Sequence, residues 1–292
     1  MIPENVTQLF HKIIKASGAS PCTIDKISKV GGGDINHSVK IDTSGGEFFM
    51  KYNNADLYPQ MFKKEATGLR LLNETGEINV PTVIGFAQDE SHAALLLKFI
   101  NSKRRTSNFF EDFGQSLARM HNHHGEYFGL DHDNYIGSLP QSNRQHADWI
   151  NFFVSERLEK QVAMALDNNR IDNATVKKFE SLYSNLEDFF PEEKPSLLHG
   201  DLWSGNYMVS EEGTAYIYDP AVYYGHRLMD LGMSKLFGGF DPAFYTAYHL
   251  EHPLQDNWRE AIDICNLYPL MVHVNLFGGG YLNSVKSILA RF

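Results

Sequence analysis

The chain has 292 residues, 42% hydrophobic and 13% aromatic, enough to bury a substantial core in one large domain or two lobes. Its 26 Lys and Arg against 36 Asp and Glu give a net charge of −10, which argues against the cation-rich surface that a nucleic-acid partner needs. Charged Glu4, Lys12 and Lys15 interrupt the apolar N-terminal positions, no stretch approaches membrane-spanning length, and Cys22 and Cys265 fit no metal or redox pattern, so the expectation is a cytoplasmic, soluble protein with no membrane partner.

Val6, Leu9, Phe10, Ile13 and Ile14 recur at helical spacing and predict an N-terminal helix. Residues 23–30 and 37–41 read as strands flanking the glycine-rich segment GGGDIN, and residues 47–52 continue an antiparallel meander. A helix is predicted over 61–72, which carries Glu65, Leu69 and Leu72, followed by β-rich runs at 82–86 and 93–99. Beyond the basic, polar segment NSKRRT (101–106) the period changes to long helices over 109–121, 147–166 and 174–189, with Phe109, Phe110, Phe152 and Phe153 as core. No internal repeat or low-complexity block is present. The predicted organisation is α+β and bilobal: a small β-rich lobe over residues 1–100 and a larger helical lobe over 101–292, with a cleft between them.

The segment HGDLWSGN, His199 to Asn206, carries the strongest chemical signal. Its Asp201 and Asn206 stand five apart, each directly after a turn-forming glycine, Gly200 and Gly205, and a strand-like run over 214–218 then ends at Asp219. Phosphoryl transfer from a nucleotide needs a carboxylate to accept the proton of the attacking hydroxyl, and hard oxygen ligands for Mg2+ on the phosphates. Asp201 fits the first role, Asn206 and Asp219 the second. Singly, each could be an Asx residue bonded to its own turn; together, at kinase-loop spacing, they point to chemistry. Lys51, ending the run EFFMK, and Glu65 fourteen residues later could form the pair that positions ATP phosphates, although at this spacing alone they could equally be a surface ion pair. Gly31, Gly32, Gly33 and Asp34 offer backbone N–H groups between two strands, but match neither the Walker A pattern nor the full G-x-G-x-x-G.

Together LLHGDLWSGN, YDPAVYYGHR, LFGGF, FYTAYHLEHPL and LYPLMVHVNLFGGGY resemble the fructosamine kinase family, and FGLDHDNYIGSLPQSN and ADWINFFVSERL extend the likeness over most of the chain. That family's fold is similar to those of aminoglycoside phosphotransferases and protein kinases. The resemblance implies Asp201 as catalytic base, Asn206 and Asp219 as magnesium ligands, and Lys51 with Glu65 as the nucleotide-positioning pair. It further implies a nucleotide hinge over Leu97, Lys98, Phe99 and Ile100 whose backbone receives adenine, and a carboxylate at Asp230 that holds the catalytic loop, which His199 helps to shape. The substrates it implies are ATP and ketoamines, the adducts of glucose or ribose with amines, free or on glycated protein lysines. The phosphorylated adduct then breaks down, which is a deglycation role. Trp203 could pack on the sugar or simply fill core, and His273 stands where the family has a histidine near the acceptor pocket, or is a satisfied core histidine. Departures are Leu228, where the family often has Glu after the Arg of its GHR segment, and Lys98, where it often has an acidic residue.

Two other readings compete: a kinase of an aminoglycoside or choline-like amino alcohol, and a catalytically silent nucleotide-binding protein. The trio His121, His123 and His124 lacks the patterned partners of a zinc site. With no heptads or apolar stripe to pair copies, a monomer is expected.

Overall fold

In the computed structural model, which describes residues 3–31 and 36–292, the apolar stripe Val6, Leu9, Phe10, Ile13 and Ile14 is buried along one face of helix α1 (Glu4–Ala16). It packs against an antiparallel sheet of β1 (Ile24–Lys29), β2 (His37–Thr43), β3 (Gly46–Asn54), β4 (Val83–Gln88) and β5 (His92–Lys98), in the order β1-β2-β3-β5-β4. Strand alternation sorts the side chains between the faces. Val39, Ile41, Met50, Tyr52, Ala94 and Leu96 join the α1 core, whereas Lys51, opposite Leu95, points to the other face. Helix α2 (Met61–Glu74) lies over that face, packed on β4 and β5.

The chain divides into two compact units, and the division is not a single cut: Met1–Ser107 folds with Met208–Asp219, and Asn108–Tyr207 folds with Pro220–Phe292. Residues 208–219 join the first unit through bridges between Asn79 and Tyr216 and between Ser102 and Ser210.

The second unit is mainly helical. It contains α3 (Phe109–Met120), the hairpin of β6 (Asn134–Ile136) and β7 (Leu139–Gln141), α4 (Trp149–Phe152), α5 (Glu159–Asp167), α6 (Asn173–Tyr183) and β8 (Ser196–Leu198). The hairpin of β9 (Tyr207–Val209) and β10 (Ala215–Ile217) precedes β11 (Tyr223–Gly225). The chain closes with α7 (Leu228–Lys235), α8 (Pro242–Glu251), α9 (Trp258–Cys265), α10 (Leu267–Phe277) and α11 (Tyr281–Leu289). Among the described residues no helix is long and apolar enough to cross a membrane.

Two helices depart from the sequence expectation. The one predicted over 147–166 is interrupted: α4 passes into α5 through a π-helical turn, Phe153–Leu158, which carries the buried pair Glu156 and Arg157. The one predicted over 174–189 stops at Tyr183, where Asn185 Nδ2 donates to the terminal carbonyl of Ser181 at 3.0 Å and a short 3-10 turn follows.

Arg157 organises the interior of the helical unit. Its guanidinium donates to Asn143 Oδ1 at 2.8 Å and to the Ser142 carbonyl, and lies 4.0 Å from the centre of the Tyr223 ring and 4.6 Å from that of Phe152. Around it, Tyr268 donates to Gln141 Oε1, Gln141 Nε2 donates to the Ala221 carbonyl, and Asn134 Nδ2 donates to the Val222 carbonyl. The segment leading into β11 is thereby pinned by side chains as well as by the backbone bond from Ala221 N to the His199 carbonyl. Replacing Arg157 with Met leaves these acceptors without their cation, so we expect a loss of about 3 kcal/mol and a fall in Tm of roughly 6–12 °C by calorimetry; an unchanged Tm would contradict this account.

Candidate functional site

In the first unit the candidate residues converge on one ammonium. Lys51, 4% exposed, is carried inward by β3, and its Nζ lies 2.8 Å from Glu65 Oε1 on α2 while also bonding Asp219 Oδ1. Burial works against the lysine's charge, but Asp219 and Glu65 outweigh it and hold the group above its ordinary pKa. Burial raises the Glu65 carboxyl, and Lys51 offsets part of that rise. Asp219 has φ +58°, a left-handed conformation that costs energy for a residue with a Cβ, and its side chain remains 40% exposed. A carboxylate held in this way, with an oxygen still accessible, has the character of a ligand-binding group.

At the end of β5 the N–H groups of Lys98 and Phe99 donate to the carbonyls of Thr82 and Glu47, at 2.9 and 3.2 Å. Gly31 is exposed, and Gly32, Gly33 and Asp34 lie outside the described residues.

In the second unit the loop 199–206 leaves β8, which pairs antiparallel with β11. Its shape is set by Asp230 of α7, fully buried, whose Oδ2 accepts from His199 N at 2.7 Å and whose Oδ1 accepts from Gly200 N at 2.8 Å. His121, from the end of α3, bonds the same carboxylate through Nε2 at 3.2 Å and Tyr248 through Nδ1 at 2.8 Å. Burial opposes ionisation of Asp230, yet the His121 bond and the Gly200 N–H prevail and the carboxyl lies below its ordinary pKa. Gly200 has φ +83°, and a Cβ there would sit 2.1 Å from the Ala221 carbonyl oxygen, so no other residue fits this turn.

The loop then presents its acid. Asp201 N donates to His199 Nδ1 at 3.2 Å, and Asn206 Nδ2 donates to the Asp201 carbonyl at 2.8 Å and to Asp201 Oδ2 at 3.0 Å. With the Asn206 amide nitrogen engaged, its Oδ1 is the atom left to face a cation. Trp203, half-buried, lies over the loop so closely that a Cβ on Gly205 would meet its ring at 2.4 Å. His273 on α10 is fixed by its Nδ1, which donates to the Pro269 carbonyl at 2.7 Å, and burial lowers its pKa.

Asn206 Oδ1 in the second unit and the Asp219 carboxylate in the first are each hard oxygens of the kind that Mg2+ takes, an ion commonly held by one or two carboxylates together with substrate phosphates and water, not by a full protein cage. Among the described residues no trio of His, Cys, Asp or Glu could hold a metal unaided.

Three contributors are not legible as site residues from the sequence. The contact from Tyr248 to His121 joins α8 to α3 with no local motif. Arg227, beside Leu228, forms a forked bond to Glu193 and donates to the carbonyls of His252 and Pro253. The aromatic neighbours of Trp203 and His273 come from residues 237, 277 and 281, and the LFGGF and GGGY segments carry the signal for them.

The model of the family described as fructosamine kinase matches residues 6–292. An Enterococcus faecium protein assigned as a ketoamine kinase is 35% identical over 91% of this chain and 95% of its own length. The chloroplastic protein-ribulosamine 3-kinase of Arabidopsis thaliana is 39% identical over 91% and 82%. The crystal structure of a Haemophilus somnus protein assigned as a fructosamine-3-kinase superposes with a TM-score of 0.89 at 26% identity, covering 98% of this chain and 97% of that one. A spectinomycin phosphotransferase, 16% identical over 97% and 93%, shares the fold with a TM-score of 0.52. The fold is thus the bilobal, kinase-like fold of the aminoglycoside phosphotransferases.

Asp230 gives a pH prediction whose sign is fixed. Its folded-state pKa is depressed, so its contribution is complete above the unfolded value near 3.9 and fades as pH falls through the folded-state pKa. Asp230→Asn should therefore cost about 2–4 kcal/mol in urea unfolding at pH 7, and the difference from the parent should shrink below about pH 4. A difference that is flat across this window would remove Asp230 as the anchor.

Proposed function

This chain belongs to the fructosamine kinase family, and from that premise we propose that it phosphorylates a sugar hydroxyl of ketoamines with ATP, using Asp201 as the base. The observation that carries the reading is the Asp201–Asn206 pair on a loop anchored by Asp230.

The catalytic task is to make a hydroxyl attack phosphorus while the bond from the γ-phosphorus to the bridging oxygen breaks and ADP leaves. Asp201 orients the acceptor hydroxyl and takes its proton. Its Oδ2 already accepts from Asn206 Nδ2 at 3.0 Å, which sets the rotamer of the carboxylate before substrate arrives. Lys51 supplies the fixed positive charge for the nucleotide phosphates, and Glu65 keeps it in place at 2.8 Å. Asn206 and Asp219 are the residues that would hold Mg2+, which when bound neutralises charge on the phosphates. Around the end of β5, where the N–H groups of Lys98 and Phe99 donate to the carbonyls of Thr82 and Glu47, the backbone of Lys98, Phe99 and Ile100 is the proposed adenine hinge.

The acceptor class follows from the ketoamine kinase and protein-ribulosamine 3-kinase relatives. Free ketoamines and glycated protein lysines are both within this proposal, as is a monomer working in a reducing cytoplasm, where the unpaired Cys22 and Cys265 are stable.

Asp201→Asn should lower kcat by roughly 10²–10⁴-fold in an ATP-consumption assay while leaving nucleotide affinity within a fewfold, because the base is lost and the phosphate cradle is kept. Full turnover by that variant would refute the assignment. The same assay on a panel of fructosamine, ribulosamine, aminoglycoside and choline acceptors should show turnover of the ketoamines; turnover of the others alone would transfer the function to an amino-alcohol kinase.

A further inference from the structure

The helical unit displays aromatic surface that the phosphate chemistry does not use. Phe237, 36% exposed, and Phe277, 53% exposed, belong to a continuous group with Tyr281, built around the half-buried His273. Ring centres lie 4.7 Å apart for Phe237 and His273, 4.9 Å for His273 and Tyr281, and 5.5 Å for His273 and Phe277. The group reaches the candidate catalytic loop directly, because Phe237 meets Trp203 edge to face at 6.0 Å and Trp203 is two residues from Asp201.

The backbone at Phe237 is unusual. It has φ +56° and ψ +45°, and Gly238 and Gly239 follow with φ of +107° and +70°. A bulky residue in the left-handed region costs energy, and the two glycines after it make the turn possible. This conformation holds a large apolar ring at the surface beside Trp203, where folding alone gives no reason to leave it.

We propose that Phe237, Phe277 and Tyr281 form the subsite for the amine-derived half of the acceptor, taking its alkyl or aromatic chain on their ring faces while Asp201 addresses the sugar hydroxyl. The inference rests on the ketoamine reading and adds to it the residues that select the amine. The amine half is covalently attached to the sugar, so it must lie within a few bonds of the Asp201 loop, and this aromatic shelf begins at Trp203. Chemistry agrees. A ketoamine nitrogen is a secondary ammonium, which aromatic faces attract, and the chain beyond it is apolar. His273 adds no repelling charge, since its Nδ1 proton is committed to the Pro269 carbonyl and burial disfavours a second proton.

The test compares two ketoamines with the same sugar, one made from methylamine and one from hexylamine. The parent protein should show the lower KM for the hexylamine adduct. Phe237→Ala should raise KM for that adduct on the order of tenfold, and for the methylamine adduct less than threefold, with kcat changing little in both. Phe277→Ala, at a more exposed position, should show the same split and guards against a folding artefact. Equal changes in KM for the two adducts, or none, would overturn the shelf assignment while leaving the kinase reading intact. Failure of the parent protein to turn over either adduct would overturn the ketoamine reading, and the shelf with it.

Discussion

A single buried carboxylate sets the geometry of the candidate catalytic loop. Asp230 has no exposed surface, and an unpaired charge there would be prohibitively costly. Its oxygens must therefore find donors, and those donors are the backbone N–H groups of His199 and Gly200 and the imidazole of His121. Satisfying Asp230 forces the chain to turn sharply where it leaves β8, which in turn requires glycine at 200 and brings its Cα against Ala221. The position of Asp201 is thus a consequence of where an anion has been buried.

The second organising charge is Lys51, and its logic is the reverse. There a cation is buried and two carboxylates come to it, one from the adjacent helix and one from 168 residues further along the chain. Asp219 accepts a left-handed backbone to do so. Local strain is tolerated at a site of this kind when surrounding contacts over-determine it, and here the ion pair with Lys51 holds Asp219 itself while the bridge from Tyr216 to Asn79 holds β10 just before it.

Much of this was legible in the sequence, for identifiable reasons. Long amphipathic elements announce themselves by period, which is why α1, α2, α3 and the five strands of the sheet fall close to where the pattern puts them. The polar positions Lys51, Glu65, Asp201, Asn206 and Asp219 could be singled out because phosphoryl transfer restricts residue type and spacing. Three-residue strands such as β6, β7, β8 and β11 are too short to carry a period, and here side chains hold them: Asn134 and Gln141 bond the carbonyls of Val222 and Ala221. The π turn in the middle of a predicted helix was hidden because Glu156 and Arg157 look like a solvent-facing charge pair, whereas both are buried by partners distant in sequence. Phe237 is marked in the sequence only by its LFGGF segment, and nothing local in that segment shows that its ring stays partly exposed.

The interleaving of the two units has a temporal side. A polypeptide emerges from the ribosome N-terminus first, and residues 1–107 include the whole five-stranded sheet, yet the unit they belong to is completed by residues 208–219. Until about one hundred further residues have been made, nascent Lys51 has Glu65 as its partner and lacks Asp219. The final electrostatic closure of the first unit therefore waits until the segment that forms the Asp201 loop has also been synthesised. A chain ending near residue 107 would carry the sheet with Lys51 held by Glu65 alone.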